Sequence, residues 1–509
     1  LEIRDSKSVY LEMNASVSAT PDTIAPKGKV IASLWMLLAA SVCVLLLRKL
    51  VHQSFFFDGG IYASLARNLA EGTGSAWRLH FSNTLFAVFS EHPPLMMWLE
   101  SLGFMVFGDT IAVEKSFSLL TFAVSGMLLF KIWTRLHDGD PLMQRAAPLA
   151  LFMTLVAGRV NWGFANGMLE NLLTVFTLCA ILLVVTAYDA RLNASAIRRM
   201  ALVFGAGVAI VLALLTKGPV GLFPWAAPML YWMALRRPAF SAVVLDSIII
   251  AGVIVLFFLL LWSFDESREA SQRYLSAQLL SSLVGERGYN GGGLAAFRKI
   301  LLGNGYSLLI LALVFAAGSL WRRASIDPAL RRDRLQRSVF LLLVGCSASL
   351  PIAISPRVAN FYFNPSLPYF SAGLCALCAP VLMEGLGKLR EKGQSRLWMA
   401  SIGALALGVV VVGVNVGRLG VDRQTIMTAR KIVDVVCSGA MPCDETISAC
   451  GKVLEDWALH TYMQRYYKIS IADTSTEIAK YLVSDDSCGP YPVYTDTGTD
   501  ISPYRLLRH

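Results

Sequence analysis

Long apolar blocks, most of them near 20 residues, divide this chain, and the charged residues gather between them. A helix of about 20 residues spans the roughly 30 Å hydrocarbon core of a bilayer. Lipid offers no partner to a free backbone amide, so the spanning forms are the helix and the closed barrel. The blocks lack the period-two alternation of barrel strands. Only 16% of the 509 residues are charged, 55% are hydrophobic, and the mean hydropathy is +0.56. A soluble chain carries roughly a quarter charged residues. The fold class read from this pattern is an all-α polytopic membrane protein.

The net charge of +10 is not read as a nucleic-acid footprint, and no nucleic-acid partner is expected. The basic residues lie in the loops between apolar blocks, where the positive-inside rule puts them. The densest cluster, Arg322, Arg323, Arg331, Arg332, Arg334 and Arg337, suits a cytoplasmic loop beside anionic membrane lipid. Residues 1–30 are polar and read as a cytoplasmic tail. The first span is placed at 31–50, with an outer segment at 51–115 containing the short apolar stretch Leu95 to Phe107. That stretch is too short to cross and is assigned to the interface plane. Further spans are expected at 117–134, 147–163, 170–188, 201–216, 219–235, 240–263, 300–320, 338–354, 367–385 and 397–417, about eleven in all. On this map the heavily basic loops share one face, and Arg48 and Lys49 are the exception.

The last span leaves 418–509 as a small extracytoplasmic α/β or α+β domain of ordinary polar composition. Five of the nine cysteines, Cys43, Cys179, Cys346, Cys375 and Cys378, lie within spans as small buried hydrophobes. The other four, Cys437, Cys443, Cys450 and Cys488, all fall in the terminal segment. Their even number there points to two disulfides, with the connectivity open. A zinc site is the rival reading, although the spacings are not the usual close pairs.

Ionisable residues beside membrane spans are costly and need an explanation. Asp58 follows the first span in F-F-F-D-G-G-I-Y; alone, it could simply be solvated. Glu91 and His92 stand in S-E-H-P-P-L, where prolines lead into the interfacial helix; Glu91 could be no more than a carboxylate favoured by the helix dipole. Lys217 lies in L-T-K-G-P-V-G-L, at the outer turn of a helical hairpin. It could snorkel to the headgroups, but a cation on the outer side is better explained by a bound anion. The segment S-P-R-V-A-N-F-Y-F-N-P-S-L-P adds Arg357 and Tyr362. Two carboxylates and two cations on one face suit a phosphate leaving group held by Lys217 and Arg357, and an acceptor approached by Asp58 or Glu91.

The order of these motifs resembles the GT-C superfamily, in particular the bacterial branch of aminoarabinose transferase and the relatives of protein O-mannosyltransferases. The resemblance runs from the first span to about Pro380. It implies a GT-C fold that takes a sugar from a polyprenyl-phosphate carrier and transfers it on the extracytoplasmic face. The family's first acidic loop residue corresponds to Asp58, its second loop carboxylate to Glu91, and its phosphate-binding lysine to Lys217. Relatives usually carry an aspartate where this chain has Glu170, in N-G-M-L-E-N-L-L. The segment 265–299, with Gly291, Gly292 and Gly293, corresponds to part of the relatives' acceptor site and is read as a flexible lid.

The expected function is therefore inverting glycosyl transfer. The donor would be a polyprenyl-phosphate-linked sugar, and the acceptor lipid A, another glycan or a protein. Asp58, Glu91 and Glu170 are the catalytic candidates, with Lys217, Arg357 and Tyr362 on the donor phosphate. No cofactor is required, and a divalent cation between Asp58 and Glu170 stays open, since carboxylate oxygens suit magnesium or manganese. The expected location is the bacterial inner membrane, with the site facing the periplasm. A transporter or flippase of lipid-linked glycans is the competing class, but it would place ionisable residues mid-span. A glycan ligase or polymerase would share the outer site.

Overall fold

The computed structural model describes residues 28–189, 195–280, 294–320, 328–355, 358–437 and 443–509. The N-terminal tail, Arg322, Arg323, Arg357 and the Gly291–Gly293 run lie outside these residues. The apolar blocks form a helical bundle. In chain order its helices are α1 (Gly28–Leu50), α2 (Phe57–Ala70), α3 (Leu95–Phe107), α4 (Ile111–Leu136), α5 (Ala147–Val156) and α6 (Val160–Ala165). They continue as α7 (Leu169–Ala187), α8 (Ala196–Lys217), α9 (Ala227–Leu235), α10 (Phe240–Trp262) and α11 (Asp265–Arg273). The bundle closes with α12 (Leu294–Gly303), α13 (Gly305–Leu320), α14 (Pro328–Ile354), α15 (Leu367–Gly387) and α16 (Glu391–Gly413). The main core lies between α4, α7, α8, α14 and α15, around Trp133, Ile181, Ile210, Phe340 and Tyr369.

By length and composition, eight helical runs among the described residues can cross a membrane, or nine if the bent pair α12–α13 is one span. The expectation of eleven differs at three places. The Ala196–Leu235 run qualifies as a single stretch of 40 residues, yet its chain doubles back. Gly218 ends α8 at φ +69°, and a Cβ on Gly221 would lie 2.7 Å from the backbone carbon of Ala213. The segment expected at 147–163 is instead two short pieces, α5 and α6, parted at Gly158 with φ +44°. The segment expected at 300–320 bends by 62° between Gly303 and Gly305. Hydropathy sums over a window and does not register such breaks.

Basic loops from separate parts of the chain meet at one end of the bundle. Arg135 reaches Asp189 at 3.9 Å, Arg199 reaches Asp246 at 3.6 Å, and Arg334 grips both oxygens of Asp140 at 2.6 and 3.1 Å. At the opposite end α2 and α3 pack together through Ile61, Tyr62, Leu65, Met96, Met97 and Phe104. The other side of α3 leaves Leu102, Met105, Val106 and Phe107 exposed, as suits a helix lying in an interface. Trp98 of α3 donates its indole N–H to the Ala76 carbonyl at 2.6 Å.

Residues 418–509 build a mixed five-stranded sheet from β1 (Thr446–Ala449), β2 (Ser470–Asp473), β3 (Tyr481–Ser484), β4 (Thr495–Ile501) and β5 (Tyr504–Arg508). The order is β2-β1-β3-β5-β4; β1 runs parallel to β2 and β3, and β5 antiparallel to β3 and β4. Helices α17 (Arg423–Val436) and α18 (Trp457–Tyr467) cover it. Disulfides join Cys437 to Cys443 and Cys450 to Cys488, with Cα–Cα distances of 5.6 and 5.9 Å.

This domain grips the helix that follows the first span. Phe55 inserts into its core and stacks on Tyr462 at 4.7 Å, and the Phe55 amide donates to the Tyr462 hydroxyl at 3.1 Å. Arg67, 1% exposed, donates to the carbonyls of Gln464 and Arg465 at 3.1 and 3.0 Å. Arg465 in turn binds Glu114 at 2.8 and 3.1 Å. Beside this network Glu100 is buried with one carboxylate oxygen unpartnered among the described residues. Burial, reinforced by the Glu114 charge, pushes its carboxyl up from 4.5 to about 8. The folded state thus keeps a proton that the unfolded chain sheds. That stabilisation is complete below pH 4.5 and is lost as pH rises to and through about 8. In Glu100→Gln this contribution disappears, so the melting temperature of the variant in detergent should fall less than the wild type's between pH 5 and 9.

Candidate active site

Local sequence explains how Asp58 is presented. Phe56 is extended and ends the loop, and Asp58 sits in the first turn of α2, where the dipole favours a carboxylate. The two glycines that follow allow close approach. A Cβ on Gly59 would fall 1.9 Å from the Asn166 carbonyl oxygen, and one on Gly60 would strike the Phe55 ring at 2.1 Å and the Thr461 methyl at 2.4 Å. The Phe56 amide also donates to Asn166 Oδ1 at 2.8 Å. The start of α2 is thereby wedged between the α6–α7 turn and the C-terminal domain, and Asp58 remains half-buried.

One turn along α2, Tyr62 is 4% exposed. Its hydroxyl is held well above the ordinary tyrosine range, first by burial and then by the charges of Asp58, Glu170, Tyr362 and Glu91. Residues from four parts of the chain therefore act electrostatically on one tyrosine. The edge of the His92 ring also meets Tyr62, at 5.9 Å between centroids. Tyr62 escaped the sequence reading because a tyrosine four residues after an aspartate looks like ordinary amphipathic patterning. Its spacing, which puts it on the same helix face as Asp58, was the available signal.

Glu170 and Lys217 meet directly. Lys217 is the last residue of α8, Glu170 lies in the first turn of α7, and the ammonium forms an ion pair with Glu170 Oε1. Each sits at the helix end that the dipole favours for its charge. The Glu170 side chain is 1% exposed and that of Lys217 11%; Glu170 Oε2 has no hydrogen-bond partner among the described residues. The sequence reading put Lys217 on a bound phosphate and Glu170 among the catalytic carboxylates. The structure pairs them, 47 positions apart.

Aromatic rings cover this pair. Lys217 Nζ stands 4.8 Å from the Tyr362 ring centroid and 5.7 Å from that of Phe361, within the range of cation–π attraction. Phe361 continues to Trp162 at 5.7 Å and Phe56 at 6.0 Å, linking the Lys217 end to the start of α2. Trp162 and Phe361 were not singled out from the sequence. Arg357, the second cation expected on the donor phosphate, lies outside the described residues.

Beside Lys217, an apolar cavity of about 250 Å³ lies between the 77–94 loop and the ends of α8 and α10. Pro93, Leu214, Pro219, Phe257, Leu261 and Tyr274 line it. Tyr274 closes over the α8 terminus, its hydroxyl 2.1 Å from where a Gly218 Cβ would be. Among the described residues no three His, Cys, Asp or Glu side chains group as metal ligands. A cation placed between Asp58 and Glu170 would have to share Glu170 with the Lys217 ammonium.

Residues 91–263 match the model of the dolichyl-phosphate-mannose-protein mannosyltransferase family. This stretch contains Glu91, Glu170 and Lys217. No curated protein matches the sequence. The chain is similar to ArnT from Cupriavidus metallidurans solved with undecaprenyl phosphate, at TM-score 0.61 and 14% identity over 94% of this chain and 97% of that one. The apo form of ArnT from Cupriavidus metallidurans gives TM-score 0.61 and 14% identity over 99% and 98%. The oligosaccharyltransferase of Archaeoglobus fulgidus in its apo form gives TM-score 0.55 and 13% identity over 90% and 69%. At these identities the likeness is one of fold, and the fold is GT-C, with the ArnT-like resemblance extending over nearly the whole chain.

Proposed function

We propose that this GT-C-fold protein is a glycosyltransferase that takes a sugar from a polyprenyl-phosphate carrier and passes it to an acceptor at the end of the bundle bearing the C-terminal domain. The observation that carries the reading is the convergence of Asp58, Glu91, Glu170 and Tyr362 on Tyr62, with Lys217 on Glu170, at the edge of an apolar cavity. The carrier bound to the Cupriavidus metallidurans relative is undecaprenyl phosphate, an anionic headgroup on an apolar tail. The cavity beside Lys217 suits the start of such a tail.

In this reading the acceptor oxygen attacks the anomeric carbon as the bond from that carbon to the phosphate oxygen breaks. The proton of the acceptor passes to Asp58, and the phosphate leaves with the electron pair of the broken bond. An ammonium has three N–H donors; Glu170 takes one and keeps the group charged, leaving the others for the leaving phosphate. Glu170 thus orients Lys217. Tyr362 packs against the ammonium, and Glu91 is assigned to holding the acceptor. Inversion follows from the single displacement. The active face would be periplasmic in a bacterial inner membrane.

The test is transfer of radiolabelled sugar from a synthetic polyprenyl-phosphate donor to envelope lipids, glycans and proteins, with the full chain in detergent. A labelled product that accumulates as free polyprenyl phosphate is released supports the reading. Movement of intact lipid-linked sugar across vesicles without release would instead identify a flippase.

A further inference from the structure

Arg48 and Lys49 stand apart from the positive-inside pattern, and the structure gives them company. They line a cleft of about 990 Å³ where the end of α1, the end of α16 and the start of α17 come together. Arg418, Arg423 and Arg430 line the same cleft. It lies at the end of the bundle away from the Arg135, Arg199 and Arg334 ion pairs.

Among the described residues none of these five cations makes an ion pair. Lys49 donates to Asn161 Oδ1 at 2.7 Å and Arg430 to Gln53 Oε1 at 2.7 Å, both neutral acceptors. The charged neighbours that act on Lys49 are Arg48 and Arg159, of like sign. Asp422 is the one carboxylate in the lining, and it is engaged by the Tyr462 hydroxyl at 2.8 Å. The cleft walls are tied by backbone, the Gln53 amide to the Arg418 carbonyl at 2.8 Å and the Gly417 amide to the Val51 carbonyl at 3.0 Å. Val414, Val416 and Val421 are exposed beside the arginines, Val421 at 93%. The apolar surfaces of α1 and α16, largely unburied, run away from it.

We infer that this cleft binds the phosphate headgroup of an anionic membrane phospholipid, distinct from the sugar carrier at Lys217. Clustered like charges on a tied scaffold favour a multiply hydrogen-bonded phosphate. The adjoining apolar surface takes the acyl chains, which a free phosphate would not use. Phe55 and Phe56 border the cleft, so the lipid braces the joint between the last span, the C-terminal domain and α2, which carries Asp58 in its first turn.

The experiment compares the full chain in micelles containing phosphatidylglycerol, in micelles containing phosphatidylcholine, and in phosphatidylcholine micelles with inorganic phosphate. Native mass spectrometry reads the retained lipid, and thermal unfolding reads the stabilisation. Phosphatidylglycerol should be retained and raise the melting temperature, while phosphatidylcholine and inorganic phosphate should not. Arg418→Gln/Arg423→Gln should weaken retention of phosphatidylglycerol about thirtyfold, with sugar transfer in phosphatidylcholine micelles unchanged. Arg48→Gln, on the opposite wall, should weaken retention about fivefold and repeats the test if the double variant does not fold. Equal retention by wild type and variants would overturn the inference, as would stabilisation by inorganic phosphate equal to that by phosphatidylglycerol.

Discussion

Asp58→Asn should abolish turnover while leaving the fold and donor binding in place. The substitution preserves side-chain size and removes only basicity and negative charge. Asparagine is tolerated in the first turn of α2, and losing the carboxylate–dipole interaction there costs about 0.3–1 kcal/mol, a small change in melting temperature. General-base assistance is worth about 10²–10⁴ in rate, so turnover should fall by that factor. Donor affinity should stay near wild type, because Asp58 is assigned to the acceptor and the donor phosphate is assigned to Lys217, which is paired with Glu170. Steady-state transfer, donor binding and thermal unfolding measured on one preparation separate these terms. Full activity in Asp58→Asn would remove the catalytic role.

Lys217→Ala should damage the protein twice, and a second variant separates the two effects. Removing the ammonium leaves Glu170, 1% exposed, as a buried charge without its partner. Breaking such a pair costs roughly 3–5 kcal/mol, so the variant should melt far below the wild type. It should also lose donor affinity by about ten- to a hundredfold, the worth of a charge-assisted contact to phosphate. In Lys217→Met/Glu170→Gln neither charge remains, and the neutral pair keeps much of the volume. Stability should return close to wild type, because well-packed neutral replacements of buried pairs are often tolerated. Donor affinity should not return. Recovery of both would mean that Lys217 serves the fold alone, and recovery of neither would mean that the pair is held by more than its charge.

The amino-acid sequence by itself determined the class of this protein. Apolar runs long enough to cross a bilayer exclude a soluble fold, because the physics of a helix in lipid depends on local composition and length. The Lys217-Gly218-Pro219 turn was legible for the same reason: a proline after a glycine breaks a helix wherever it lies, and the chain does reverse there. The break at Gly158 and the bend at Gly303–Gly305 were not legible, since isolated glycines are tolerated inside many helices and only packing decides which become corners. Asp58, Glu91, Glu170 and Lys217 could be singled out as candidates from motifs. That Lys217 would face Glu170 could not, nor that Tyr62 would lie among the carboxylates. The pairing of Cys437 with Cys443 and of Cys450 with Cys488 likewise came only from the folded domain. Hydropathy and turn chemistry are properties of neighbours along the chain. Which charges neutralise one another is set by the packing of helices far apart in sequence, where burial makes an unpaired charge too costly to leave alone.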